Sequence, residues 1–347
     1  MIWLTWRQFR GSAVTTAALL VLLAVVLALT GPGLASDYSA GIAACVQDDT
    51  CDRFYDRFFG GHETSFVALT LVVLLLPALA GLFWGAPLIS RELEAGTHLM
   101  VWNQGITRSR WLAVKLGLMG LTAATFAGLC GLMVTWWSDP LDKSAAENLA
   151  LMAPLVFGAR GIAPMGYAAF TFVLGVTAGM LVRRTLPAMA VTLAVFAAFQ
   201  LAMPLLVRPH LMPPVTSTFV LGATNVDNLG ISRDQGGQVR IQLKSAVPGH
   251  AGAWVLSADL VDGSGRTVGA DGEGTVRVST TSGPCAPSAA GGDGCIAEIN
   301  RLGYRQQATY QPLERFWPFQ WIETGIYALL TLGLSWLCFW WIRRRLS

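Results

Sequence analysis

Six apolar runs divide the chain, at residues 12–30, 66–86, 111–136, 162–182, 185–206 and 320–342. A membrane-crossing helix needs about 20 mostly apolar residues, so each run predicts one transmembrane helix. The first reads SAVTTAALLVLLAVVLALT. The second, FVALTLVVLLLPALAGLFWGA, contains Pro77, which such a helix tolerates where neighbours satisfy the freed carbonyl. Only Arg183 and Arg184 separate the fourth and fifth runs, which predicts a tight helical hairpin.

Outside these runs the pattern changes. Residues 207–319 are rich in Gly, Ser, Thr and Pro, with short alternating stretches QVRIQL, AWVLSADLV and TVRVST. GSG after AWVLSADLVD is a turn signal. This composition predicts a small β-rich lobe between spans five and six, with IAEINRLGY after Cys295 as one short helix. At the N-terminus, Ile2, Trp6 and Phe9 share a helical face, while Arg7, Gln8 and Arg10 lie largely off it. That suits a short helix in the membrane interface. An uncleaved anchor is preferred to a cleaved leader, because residues 12–30 exceed the usual apolar length of a leader. In YQPLERFWPFQWIE, Pro312 and Pro318 are expected to limit helix, and Phe316, Trp317, Phe319 and Trp321 read as an aromatic belt before span six. The fold class is therefore membrane and mostly α: six spans, an N-terminal interfacial helix and a β-rich lobe. The expected divisions are 1–206 (with a loop at 31–64 and another at 90–110), 207–319 for the lobe, and 320–347 for span six with a basic tail.

Composition supports this class. Of 347 residues, 53% are hydrophobic and 13% charged, against about 25% charged in soluble domains. The net charge of +3 gives no reason to expect nucleic acid; the distribution matters more. Segments 1–11, 90–115, 183–184 and 343–345 hold 11 Lys and Arg against the two acids Glu92 and Glu94. Segments 31–64, 137–160 and 207–319 hold 13 against 18 acids. The short basic set belongs in the cytoplasm, which predicts a multi-pass protein of the cell membrane with both termini cytoplasmic and the lobe outside. Cys45 with Cys51 and Cys285 with Cys295 then fall on the oxidising side and are expected to form disulfides. Cys130 and Cys338 lie inside spans as small apolar residues.

Catalytic motifs are not found. The chain has no GxxxxGK[ST], GxSxG or HExxH, and its four histidines are scattered. No metal site is expected, since the acids of 37–63 match no calcium loop. Glu323 is the only acid within a predicted span. It is expected at headgroup level, as an interfacial anchor with Trp6, Arg7, Trp317 and Trp321, or paired with an arginine such as Arg315.

The densest polar stretch between spans is SRELEAGTHLMVWNQGITRSRWLAVKLG, residues 90–117. Ser90 is expected to cap a short helix at RELEA, Gly96 to end it, and Thr107 or Ser109 to cap the next helix. Acidic and apolar groups presented together predict a docking surface. RELEAGT followed by TRSRWLAVK resembles the first cytoplasmic loop of ABC transporter permeases of the second export class. Trp6-Arg7-Gln8 and the FWPFQWIE entry to span six are similar to the actinobacterial branch of that class. The resemblance covers the whole layout, with a lobe larger than the simplest members carry. It implies a permease without ATPase activity of its own, exporting a hydrophobic or amphipathic small molecule, lipid or peptide. It also implies a permease homodimer amid membrane lipids, and two copies of a separate ATPase that holds ATP and Mg. Arg91, Glu92, Glu94, Gly96, Thr97, Trp102, Arg108, Arg110 and Lys115 are then the coupling-helix residues. The competing reading is a non-transporting membrane sensor that displays the lobe.

Overall fold

The computed structural model describes residues 2–48, 51–96, 107–144, 149–232, 238–250, 252–270, 272–280, 282–286 and 292–344. Two compact units emerge. One comprises Met1–Ser144, Pro154–Leu211 and Trp317–Ser347; the other comprises Ala145–Ala153 and Met212–Phe316.

The first unit is helical. Its elements are α1 (Ile2–Asp48), α2 (Cys51–Leu79), α3 (Ala86–Glu94), α4 (Arg108–Asp142), α5 (Pro154–Phe157), α6 (Ala163–Val182), α7 (Thr185–Ala202), α8 (Arg208–Leu211) and α10 (Phe316–Arg344). Six helical stretches among the described residues are long and apolar enough to cross a membrane. Large apolar side chains such as Leu29, Leu186 and Leu329 face outward, each more than two-thirds exposed. In water that would be costly; in lipid it is the favourable arrangement.

The helices outrun the apolar runs that predict them. The N-terminal residues form the first turns of α1, which continues through Pro32 to Asp48. The stretch 31–64 is thus mostly two helical arms, clipped by the Cys45–Cys51 disulfide. Ser90 does not cap a helix: it is buried inside α3, and its hydroxyl donates to the Ala86 carbonyl at 2.8 Å. The reason is that α3 continues α2 through a π-helical stretch, Ala80–Gly85. A second π stretch, Met203–Val207, joins α7 to α8. Pro77 precedes the first and Pro204 lies in the second. Proline removes a ladder donor and crowds the preceding turn, and a widened turn is one way a helix absorbs that. Pro318 does not limit α10 either, since it sits in the first turn, where a missing N–H is harmless. The hairpin between α6 and α7 turns on Arg183, left-handed at φ 55°.

Helix α6 runs through the middle of this unit, with nearly all its side chains buried. It packs backbone to backbone against the π stretch and α3. A Cβ on Gly175 would collide with the Gly81 carbonyl and the Ala86 amide. Small residues give helices this close approach, which is how they gain packing in lipid.

The second unit contains two three-stranded antiparallel sheets, ordered β1-β6-β4 and β2-β3-β5. The strands are β1 (Val215–Phe219), β2 (Val226–Ser232), β3 (Gln238–Leu243), β4 (Trp254–Val261), β5 (Glu273–Arg277) and β6 (Arg305–Gln311). Val239, Ile241, Leu260, Val276 and Ile299 form its core, Ile299 coming from helix α9 (Gly292–Arg301). The Cys285–Cys295 disulfide is buried in the same cluster. GSG is a turn, with Gly265 at φ 80° and the Asp262 carboxylate accepting from the Ser264 and Arg266 amides.

Candidate functional site

Two polar constellations stand out in the helical unit, at opposite ends of α2–α3 and of α7.

The first surrounds the segment between α3 and α4. Gly96 ends the α3 arm at φ 67°, a conformation that favours glycine. Thr107 caps α4, its hydroxyl accepting from the Arg110 amide at 3.4 Å. Thr97 and Trp102 lie outside the described residues. Glu92 and Glu94, expected to face a partner protein, have partners within the chain. Glu92 pairs with Lys115, a buried lysine whose ammonium also lies 4.6 Å from the Trp111 ring centre. Glu94 accepts from the Thr185 amide at 3.0 Å and the Thr185 hydroxyl at 2.7 Å, so it caps the first turn of α7. Ser90 meets the same hydroxyl at 2.9 Å. Arg343 of α10 donates to Ser109 at 3.1 Å. Arg91 and Arg110 are exposed and Arg108 is half-buried. Both arms of the segment are therefore tied by polar contacts to α4, α7 and α10.

The second constellation lies where α7 and α8 end and α10 begins. Glu323 does pair with an arginine, but with Arg208 rather than Arg315. It is fully buried, and Arg208 grips it with two nitrogens, Nε to Oε2 at 2.9 Å and Nη2 to Oε1 at 3.0 Å. The Tyr167 hydroxyl donates to Oε1 as well. Arg208 is only 2% exposed, and its guanidinium carbon sits 4.1 Å from the Phe157 ring centre. Tyr327 packs edge-on against Tyr167, with ring centres 4.7 Å apart. Desolvating two charges is expensive, and only bidentate geometry with further hydrogen bonds repays it; Glu323 has both.

One turn earlier on α10, Gln320 is also fully buried. Its Oε1 accepts from the amides of Ile162 and Ala163 at 3.1 and 2.8 Å, serving the start of α6. Its Nε2 donates to the Phe157 carbonyl at 3.1 Å. A second buried pair lies nearby, Arg160 Nε to Asp142 Oδ2 at 3.6 Å, with Ser138 donating to the same oxygen at 2.6 Å. FQWIE thus packs Phe319, Gln320 and Glu323 inward, while Trp317 and Trp321 point out at 47% and 65% exposure. Phe316 and Phe319, expected to stand in an aromatic belt, are buried instead. The side chains of Trp6 and Arg7 lie outside the described residues.

A cavity of about 580 Å³ abuts this cluster. Leu74, Ala78, Phe196 and Leu201 are among its apolar walls, and Tyr167, Gln200 and Arg208 supply the polar ones. Sequence reasoning singled out Glu323 but missed Arg208, Tyr167, Gln320, Arg160 and Asp142. The available signal was position: Arg208 follows an apolar run by two residues, and FGARGIAP sets Arg160 among small and apolar neighbours. Both fall in segments between the predicted spans.

Residues 17–208 match the family model described as ABC-2 membrane transporter related. No curated protein and no solved structure matches the chain.

Proposed function

Because the chain belongs to the ABC-2 membrane transporter related family, it is the membrane subunit of a transporter, and we propose that it exports a hydrophobic or amphipathic cargo, driven by a separate ATPase docked at residues 90–110. In this reading two permease copies form the assembly, each engaging one ATPase that holds ATP and Mg. Both termini and the docking segment face the cytoplasm, and the β lobe faces outward.

The observation that carries the proposal is the tying of both arms of the segment. Glu92 joins α3 to Lys115 of α4, and Glu94 joins α3 to the first turn of α7. A push on the intervening residues then reaches two spans directly rather than dissipating in a loose loop. The acids work as internal struts, which leaves exposed Arg91 and Arg110 for the partner.

The test is co-expression with an ABC ATPase of the same genome that co-purifies with the chain, in sealed vesicles. Glu94→Lys removes the cap of α7. Gly96→Val forces a β-branched residue into a left-handed conformation. Both are expected to insert at normal levels yet lose ATP-dependent transport at least about tenfold, equivalent to about 1.4 kcal/mol of coupling. Unchanged ATPase association and transport in both variants would reject the docking assignment.

A further inference from the structure

The turn between α6 and α7 is made of Arg183 and Arg184 alone. Arg183 ends α6 in a left-handed conformation, and its amide donates to the Gly179 carbonyl at 3.1 Å. Glycine ordinarily takes this position, because it has no Cβ to crowd the backbone there. Everywhere else among the described residues the chain meets a positive φ with glycine. At this one point it holds an arginine instead, with the residue exposed. Orientation in the membrane does not require it. Arg184 is extended at φ −134° and exposed, so it supplies a basic charge to the same turn without strain. A strained residue that glycine would relieve points to a use for its side chain.

The turn is also joined to the docking segment. Thr185, the residue after Arg184, donates both its amide and its hydroxyl to Glu94 at the end of α3, and Ser90 meets the same hydroxyl. Arg91 and Arg184 both act electrostatically on the Glu94 carboxylate. Glu92 and Glu94 already hold partners within the helical unit, so the charges left here for a neighbour, on exposed Arg91, Arg183 and Arg184, are all positive. We propose that the α6–α7 turn is a second contact with the ATPase, in which Arg183 meets an acidic surface beside the groove that takes residues 90–110. The inference rests on the docking assignment above and adds the chemistry of the partner: carboxylates, which a guanidinium engages through its planar array of donors. Such a contact acts on the rate and specificity of docking more than on its bulk affinity. Because Glu94 ties the turn to α3, the ATPase then holds both ends of that strut.

The experiment measures binding of the co-purifying ATPase to the full chain in detergent without added lipid, at about 0.1 M and about 1 M salt, where charges are screened beyond about 10 Å and about 3 Å. Arg183→Gly removes the guanidinium and relieves the backbone, so it should melt no lower than the wild type. It should nevertheless bind the ATPase about three- to fivefold more weakly at the lower salt, the weight of one exposed charge contact, and the difference should shrink at the higher. Arg183→Asn, which tolerates the left-handed conformation without adding freedom to the turn, should match it, and Arg183→Lys should keep most of the binding. The inference is overturned if Arg183→Gly binds the ATPase as the wild type does. That includes the case in which it loses transport only in vesicles of anionic lipid, which would make lipid headgroups the partner. It is also overturned if Arg183→Lys binds as weakly as Arg183→Gly, since charge would then not be what the partner reads. Glu94→Lys and Gly96→Val keep the two failures apart: weak binding by both, beside normal binding by Arg183→Gly, removes this contact alone, whereas normal binding by all three removes the docking assignment itself.

Discussion

Removing the Glu323 carboxylate leaves the Arg208 guanidinium desolvated and without its counter-charge. Glu323→Ala should cost about 3–5 kcal/mol, the usual penalty for halving a buried ion pair. The double variant Arg208→Met, Glu323→Leu should recover most of that, because neither charge is then stranded. Thermal unfolding in detergent of both proteins checks this; equal losses would show that the site matters for packing alone. In the second unit, the Asp262 carboxyl is held down to about 2, chiefly by the Ser264 hydroxyl and then by the Arg266 amide. Its ordinary value is near 3.9. A lowered value means the turn gains stability above pH 4 and loses it as the pH falls toward 2. Asp262→Ala should therefore speed hydrogen exchange at the Arg266 amide at pH 7, and by much less at pH 2. At this scale the sequence was informative about rarity and silent about partners. A single acid in six apolar spans marks itself, but Arg208 lies 115 residues away from Glu323, and only the packing of helices brings the two together. Glu92 and Glu94 likewise read as surface acids until α4 and α7 are placed beside them.

Among the elements, α6 is the least tolerant of change. Gly175→Leu should destabilise the helical unit by at least about 1–3 kcal/mol, since the added carbons overlap backbone rather than movable side chains. Gly333 in α10 has open space where its Cβ would be. Gly333→Ala should be neutral or gain about 0.5–1 kcal/mol from helix propensity. Paired melting curves of the two variants check the contrast, and equal shifts would mean α6 is less closely packed than its contacts indicate. Six apolar runs announced the spans because lipid demands about 20 apolar residues whatever surrounds them. Hydropathy said little about where the helices end, because α1 and α2 continue as polar arms to either side of Cys45 and Cys51. Nor could it show the π stretches, which arise where proline meets a helix that tertiary packing will not release.

For the molecule as a whole, the proposed orientation makes a direct statement about access. Protease added to sealed cells should cut the exposed turn at residues 263–266, with the helical unit left intact. Cleavage only after the cytoplasmic face is opened would invert the topology. The strands QVRIQL and AWVLSADLV were visible in the sequence because their inward positions are apolar. The strand RQQATYQ was not, since it turns Gln306 inward, where that side chain donates to the Ala246 carbonyl at 3.0 Å and accepts from Asn225 at 2.7 Å. This polar strand, β6, is the central one of its sheet, pairing with β1 on one edge and β4 on the other. It is also the last strand to be synthesised. Val215 must wait for Tyr310, so β1 spends most of the lobe's translation, and β4 the later part of it, with open edges, the state most prone to pairing with another chain. The final strand closes the sheet only a few residues before α10 is due to enter the bilayer. A nascent chain stopped anywhere between 262 and 304 therefore carries two unpaired strands. Quality control that recognises open edges would act at this point in biosynthesis.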